Sequence, residues 1–89
     1  MTIYDKAVAH YGSENQVRKA VEELTELSIA LQHSLDGRGN LDNIREEMAD
    51  VSIMLEQLEI IFGKYEKVKC SKIMRLAERI RTGEQESNR

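Results

Sequence analysis

The fold is decided by the segment from residue 22 to residue 50, which contains the strings EELTE (22–26) and EEMAD (46–50). Each string carries two carboxylates three positions apart, Glu23 with Glu26 and Glu47 with Asp50. On a helix, side chains at this spacing lie on one face about 5–6 Å apart, so each pair repels itself. If the two helices pack together, the four acids converge, and a divalent cation with oxygen ligands, such as Mg²⁺, would relieve their repulsion.

Helical patterns extend outward from both strings. We predict four helices, at about residues 3–10, 14–35, 41–62 and 65–81. Ser13 with Gln16 predicts a capping box for the second helix, and Asn40 is the predicted cap of the third. Glycine commonly stops a helix, and one follows each of the last three predicted ends: Gly37, Gly63 and Gly83. We therefore expect one all-α domain over residues 1–83 and a polar tail over residues 84–89.

The composition suits a small helical protein without disulfide bonds. The 89 residues include no proline, 40% apolar residues and 33% charged residues, which favours a folded helical domain over a disordered chain. The net charge of −3 gives no overall basic signature for nucleic acid or a membrane surface. The sequence has one cysteine, no apolar signal segment and no apolar run of membrane-spanning length, so we expect a cytoplasmic protein.

The apolar residues of the two long helices predict an antiparallel pair. In the second helix, a 4,3,4,3,4 spacing selects Val17, Val21, Leu24, Ser28, Leu31 and Leu35. In the third helix, the same spacing selects Ile44, Met48, Val51, Leu55, Leu58 and Phe62. Side chains at this spacing form one stripe along a helix, so we expect these two seams to pack against each other.

The third helix carries a second apolar stripe, Ile53 and Ile60, on the side opposite its seam. Met54 lies between the two stripes and shares a face with Glu47 and Asp50. A helix that is apolar nearly all round is buried on several sides, and one short chain has too few helices to cover it. We therefore predict a homodimer or homotetramer in which a second copy covers Ile53 and Ile60, leaving the acids in a cleft.

Ordinary surface glutamates are an alternative explanation for either acidic pair, because Glu is common on exposed helix faces. Two features favour a shared metal site instead. The spacing occurs on both long helices, and no basic residue follows any of the four acids at the fourth position. Those positions hold Leu27, Ala30, Val51 and Met54. The residues alone leave both explanations open.

The string Glu22-Glu23-x-x-Glu26, a gap of 20 residues and the string Glu47-x-x-Asp50 resemble the MazG-like all-α nucleoside triphosphate pyrophosphohydrolases. The resemblance covers about residues 14–80. It implies a four-helix fold in which Glu23, Glu26, Glu47 and Asp50 bind Mg²⁺, with Mn²⁺ as a substitute. It also implies cleavage of a nucleoside triphosphate to a nucleoside monophosphate and pyrophosphate. Glu22 matches a further acid of the motif, and its implied role is to orient a ligand or a water.

The predicted fourth helix has a basic face that suits an anionic substrate. Lys72, Arg75 and Arg79 fall within roughly 60° of one another on a helical projection. We expect Lys72 and Arg75 to bind the triphosphate; a solvated basic face is the alternative. Many MazG-like relatives carry an Asn four positions after the Lys, where this chain has Leu76. The opposite face is predicted to pack on the core through Ile73, Leu76, Ala77 and Ile80.

Together these observations predict a Mg²⁺-dependent hydrolase of nucleoside triphosphates, including non-canonical or deoxy forms. Its expected fold is all-α and MazG-like, with two long antiparallel helices, completed by oligomerisation. Its expected catalytic acids are Glu22, Glu23, Glu26, Glu47 and Asp50. The alternative is a non-catalytic helical interaction protein in which the acids form a charged rim and the third helix drives assembly.

Overall fold

The computed structural model describes residues 1–83, and the predicted polar tail over residues 84–89 lies outside them. The described chain is all-helical and contains no strand. Its helices are α1 (Ile3–Tyr11), α2 (Ser13–Leu35), α3 (Leu41–Phe62) and α4 (Glu66–Thr82). The all-α prediction is confirmed, and each helix boundary lies within one residue of its predicted position. No helix in the described part combines the length and apolar character that crossing a bilayer would require.

Capping explains where the long helices begin. The Asn40 side chain accepts a hydrogen bond from the Asn43 backbone N–H at 3.2 Å, which confirms Asn40 as the cap of α3. The predicted Ser13–Gln16 capping box is wrong, because α2 already begins at Ser13 and has no side-chain cap. Gly12 alone separates α1 from α2, so Ser13 enters the helix directly and Gln16 is free to face α3.

Glycine is required at two places where the chain changes direction. Gly63 ends α3 with φ +102°, a conformation that other residues rarely adopt. Gly39 lies in the loop between α2 and α3, where a Cβ atom would stand 2.5 Å from the Cα of Ser34. This close approach folds the loop tightly against the end of α2 and returns α3 alongside it.

The antiparallel pair of α2 and α3 forms the centre of the fold, and α1 packs across both helices. Gln16, near the start of α2, donates a hydrogen bond at 2.7 Å to Gln57, near the end of α3, and both side chains are buried. The buried apolar residues are Ala20, Ala30, Val51 and Met54. The two α2 residues are small alanines, and beside them the EELTE and EEMAD strings face each other, since Glu23, Glu26 and Glu47 meet across the contact.

The predicted seam of α2 is wrong by one helical register. Its residues Val21, Leu24 and Leu31 are exposed, whereas the buried face of α2 consists of Gln16, Ala20, Glu23 and Ala30. The α3 seam is wrong in part: Val51 is buried, but the exposed residues include Met48, Leu55 and Phe62. Both α2 registers have similar spacing, and the chain buries the one with smaller and more polar residues.

The placement of α4 departs most from the prediction. Among the described residues, α4 makes no close backbone contact with the other helices, and none of its side chains is buried. The expectation that its apolar face packs on the core is therefore wrong, and Ile73 and Ile80 are exposed. Among residues 1–83, the helix that packs on both α2 and α3 is α1, and the apolar face of α4 has no helix packed against it.

Candidate metal centre

Three acids meet where α2 faces α3. One carboxylate oxygen from each of Glu23, Glu26 and Glu47 lies within 4.8 Å of the other two. Oxygens on opposite sides of a bound Mg²⁺ or Ca²⁺ are about 4–5 Å apart. The structure therefore brings three of the four predicted ligands to a spacing that suits one cation.

Glu23 is the most buried member of this group, at 7% exposure. Its Oε1 forms an ion pair with the Lys19 ammonium at 3.2 Å. Its Oε2 is buried without a hydrogen-bond partner, and the same is true of Oε2 of Glu47. A buried carboxylate oxygen without a partner is costly, so a cation or a proton beside these two carboxylates would be stabilising.

The electrostatics of Glu47 show the same shortage of positive charge. Burial raises the pKa of the Glu47 carboxyl above its ordinary value. The charge of Glu26 and a hydrogen bond shared with it raise that pKa further, followed by the charges of Asp50 and Glu23. The cluster therefore favours a proton or a cation over three free negative charges.

The remaining two predicted acids stand at the edge of the cluster. Asp50 is exposed and lies outside the group of three oxygens, although its charge contributes to the raised pKa of Glu47. Glu22 is exposed, and its Oε2 lies 3.7 Å from the Lys19 ammonium. Both side chains are near the three clustered acids but are not arranged with them around a common point.

The predicted substrate cations are placed elsewhere. Lys72 and Arg75 are exposed on α4, which makes no close contact with α2 or α3 in the described chain. A single chain therefore does not bring them to the acids. Their role in binding substrate stays a prediction, and it requires either a movement of α4 or a second copy of the chain.

Lys19 is a residue that the sequence reasoning missed. No basic residue follows the acids at the fourth position, but Lys19 stands four residues before Glu23. Helical neighbours lie at the same spacing in both directions, so testing the preceding position as well would have found it. The hydrogen bond and the charge of Glu23 raise the pKa of the Lys19 ammonium, which is therefore charged at neutral pH.

A cleft of about 530 Å³ opens beside Lys19, where the end of α1 meets the start of α2. Its wall combines an aromatic ring, two amides, two cations and one carboxylate: Tyr11, Asn15, Gln16, Arg18, Lys19 and Glu22. Lys19 belongs both to this wall and to the ion pair with Glu23. The cleft and the acid cluster are therefore neighbours.

The fold and the site define an all-α protein with a three-carboxylate centre between two antiparallel helices. Comparison with protein-family models, curated proteins and solved structures finds no match to the chain.

Proposed function

We propose that this chain is a Mg²⁺-dependent nucleoside triphosphate pyrophosphohydrolase of the MazG-like type, with Mn²⁺ as a substitute metal. The observation that carries the proposal is the buried, unpartnered Oε2 of Glu23 in a cluster with Glu26 and Glu47. An ordinary surface glutamate would have water on both oxygens. The order of the acids, with Asp50 three positions after Glu47, also supports the proposal, because it resembles the motif of the MazG-like pyrophosphohydrolases.

The donor set suits a hard divalent cation. All three clustered ligands are carboxylate oxygens, which Mg²⁺, Mn²⁺ and Ca²⁺ prefer over softer metals. Glu23, Glu26 and Glu47 would hold the ion, and Asp50 would join from the rim. Bound there, the metal would polarise a phosphoryl oxygen and lower the pKa of a coordinated water.

The chain's own residues supply the rest of the proposed reaction. Glu22 is exposed at the edge of the cluster, where a carboxylate is able to orient the attacking water and accept its proton. Attack is proposed at the α-phosphorus, with pyrophosphate as the leaving group. In support, the sequence has no glycine-rich phosphate loop to wrap the γ-phosphate in backbone N–H groups.

The second candidate function is a non-catalytic helical interaction protein. The exposed apolar residues of α2, α3 and α4 favour it, among them Val21, Ile29, Leu31, Phe62 and Met74. A homo-oligomeric enzyme explains the same exposure, and we propose a homodimer or homotetramer. The two functions differ in metal response, because only a metal-binding enzyme gains melting temperature when Mg²⁺ is added.

The experiment that tests the proposed reaction is hydrolysis in ¹⁸O-labelled water. A panel of canonical and modified ribo- and deoxyribonucleoside triphosphates is first screened for Mg²⁺-dependent release of pyrophosphate. The best substrate is then hydrolysed in labelled water, and the products are separated by mass spectrometry. We expect the label in the nucleoside monophosphate; label in pyrophosphate or inorganic phosphate would place the attack at another phosphorus and refute the mechanism.

A further inference from the structure

Lys19 occupies an unusual position between two features of the molecule. Its ammonium lies 3.2 Å from Oε1 of Glu23, a member of the acid cluster, and 3.7 Å from Oε2 of the exposed Glu22. The side chain itself is 53% exposed and lines the neighbouring cleft. It is the cation that the described structure brings against the cluster, in contrast to the cations of α4.

The cleft is large enough for a small ligand, and its polar and charged lining suits an anionic one. Its volume of about 530 Å³ falls within the roughly 300–1,000 Å³ typical of small-molecule pockets. One wall is fixed, because the Gln16 amide is buried and hydrogen-bonded to Gln57. Arg18 adds a second positive charge, shared with Glu14 at 2.8 Å, and Tyr11 adds an aromatic ring.

We propose that this cleft receives the phosphate chain of the nucleotide, and that Lys19 is the residue that binds it next to the metal. The inference rests on the proposed function and names the cation that serves the same site. Lys19 lines the cleft and contacts Glu23 of the acid cluster, so its ammonium lies between the two. A phosphate chain that reached from the cleft to a metal at the acids would therefore pass this ammonium.

The ion pair with Glu23 explains how Lys19 serves both states of the site. A lysine ammonium has three donors on a flexible four-carbon stem, so one group is able to contact a carboxylate and a phosphate together. Without ligand, Lys19 offsets part of the charge of the buried Glu23. With metal and phosphate present, the metal offsets that charge and the ammonium becomes available to the phosphate oxygens.

The test separates metal binding from phosphate binding by exchanging one charge. Lys19→Gln, Lys19→Arg and the wild type are titrated with Mg²⁺ alone, and then, at saturating Mg²⁺, with inorganic pyrophosphate, by isothermal titration calorimetry. Lys6→Gln is the matched control, because Lys6 is exposed on α1 and does not line the cleft. Pyrophosphate is used because its binding does not depend on the base.

For Lys19→Gln we expect Mg²⁺ to bind as tightly as in wild type or more tightly, because a positive charge beside the acids is removed. Pyrophosphate affinity should fall about tenfold or more, as the loss of one charge-assisted hydrogen bond predicts. Lys19→Arg should recover most of that loss, and Lys6→Gln should match wild type in both titrations. These opposite effects on metal and phosphate are not expected of a lysine that only supports Glu23.

Three outcomes would overturn the inference. In the first, Lys19→Gln loses Mg²⁺ and pyrophosphate together, which makes Lys19 a structural support of Glu23. In the second, Lys19→Gln keeps wild-type pyrophosphate affinity. In the third, the Mg²⁺-bound wild type does not bind pyrophosphate. Absence of Mg²⁺ binding in the wild type would instead refute the proposed function itself, so the two failures are distinguishable.

Discussion

Glu47 lies half-buried beside other carboxylates, and both burial and its neighbours raise its pKa above the ordinary value of about 4.5. The folded state therefore binds this proton more tightly than the unfolded state. Such a group contributes stability below its unfolded pKa, and the contribution is lost as the pH rises through the raised folded pKa. Asp5 and Glu78 have lowered pKa values, so their contributions to stability change with pH in the opposite direction. The contribution of Glu47 is therefore measured by comparing the wild type with a variant that lacks its carboxyl.

We predict that Glu47→Gln stabilises the metal-free protein, relative to wild type, increasingly as the pH rises from about 4.5 toward 7. The reason is that Gln has no charge to develop beside Glu26 and Glu23. Urea unfolding of both proteins in a chelator across this pH range measures the difference. Parallel pH profiles for the two proteins would show that the fold does not perturb Glu47.

The second residue-scale prediction concerns turnover. Glu23→Gln, Glu26→Gln, Glu47→Gln and Asp50→Asn should each abolish Mg²⁺-dependent release of pyrophosphate while the helical circular dichroism spectrum persists. Removing one of several like charges should leave the metal-free protein about as stable as wild type or slightly more stable.

The matched control for these variants is Glu46→Gln, since Glu46 is an exposed neighbour in the EEMAD string and lies outside the cluster. It should retain wild-type turnover. Near-wild-type activity in any two of the four acid variants would refute the shared site.

At the scale of helices, the contact between α2 and α3 is organised by polar residues as well as apolar ones. The Gln16 amide donates to Gln57 at 2.7 Å, and the Gln57 amide lies 3.7 Å from the sulfur of Met54. Replacing one partner leaves a buried amide without a hydrogen bond, whereas replacing both leaves no buried amide that needs one. The pair therefore fixes the register that places the acids opposite each other.

We predict that Gln57→Leu destabilises the protein by about 1–3 kcal/mol, because it leaves the Gln16 amide unpaired in the buried contact. Gln16→Leu should have a similar cost, because it leaves the amide oxygen of Gln57 without its donor. The double variant should be less destabilised than the sum of the two, giving a favourable coupling in a double-mutant cycle from denaturant unfolding. Additive effects would mean that the hydrogen bond does not form in solution.

The helices and their ends were predictable from local signals, because Asn40, Gly63 and Gly83 act through neighbours in the sequence. The three clustered acids were predictable from their spacing and from the resemblance. The buried face of α2 was not, since hydropathy favours Val21 and Leu24 over Ala20 and Glu23. Close packing and the pairing of polar groups across helices decided that register, and neither is visible in one helix alone.

The position of α4 was unpredictable for a different reason. Its apolar face predicted packing on the core of the same chain, but amphipathicity does not say whether a partner for such a face belongs to the same chain. The sequence also gives no sign that α1, only 9 residues long, packs across both long helices. The prediction that Lys72 binds substrate next to the acids required α4 to contact α2 or α3, and the described chain has no such contact.

On the scale of the whole molecule, the single chain is more open than a stable domain of its size. Its radius of gyration is 16.0 Å, whereas about 12 Å is expected for 89 residues in a compact domain. Its accessible surface is 7373 Å², against about 5,300 Å² expected for a folded monomer of 10.2 kDa. The excess of about 2,000 Å² per chain is, for two chains, in the range of obligate homodimer interfaces.

The exposed apolar residues show where this excess surface lies. Ile53 is 46% exposed and Ile60 is 41% exposed, on the second stripe of α3. Further exposed apolar side chains come from the predicted seam of α2, which includes Val21, Leu24 and Leu31, and from the apolar face of α4. Among residues 1–83 the buried apolar core consists of Ala20, Ala30, Val51 and Met54, so this part of one chain has little hydrophobic stabilisation.

We therefore predict an obligate homo-oligomer assembled through α3. In the double variant Ile53→Asp with Ile60→Asp, two charges would have to enter the interface without partners, and in a two-fold assembly each would occur twice. The variant should dissociate and lose most of its helical signal, because the separated chain lacks a sufficient core. Asn43→Asp is the control, since it adds a charge to an exposed position in the first turn of α3, where a negative charge is favourable. Analytical ultracentrifugation at micromolar concentration gives the deciding measurement: a wild type that sediments as a folded monomer would contradict the assembly, and the excess surface would then require another partner.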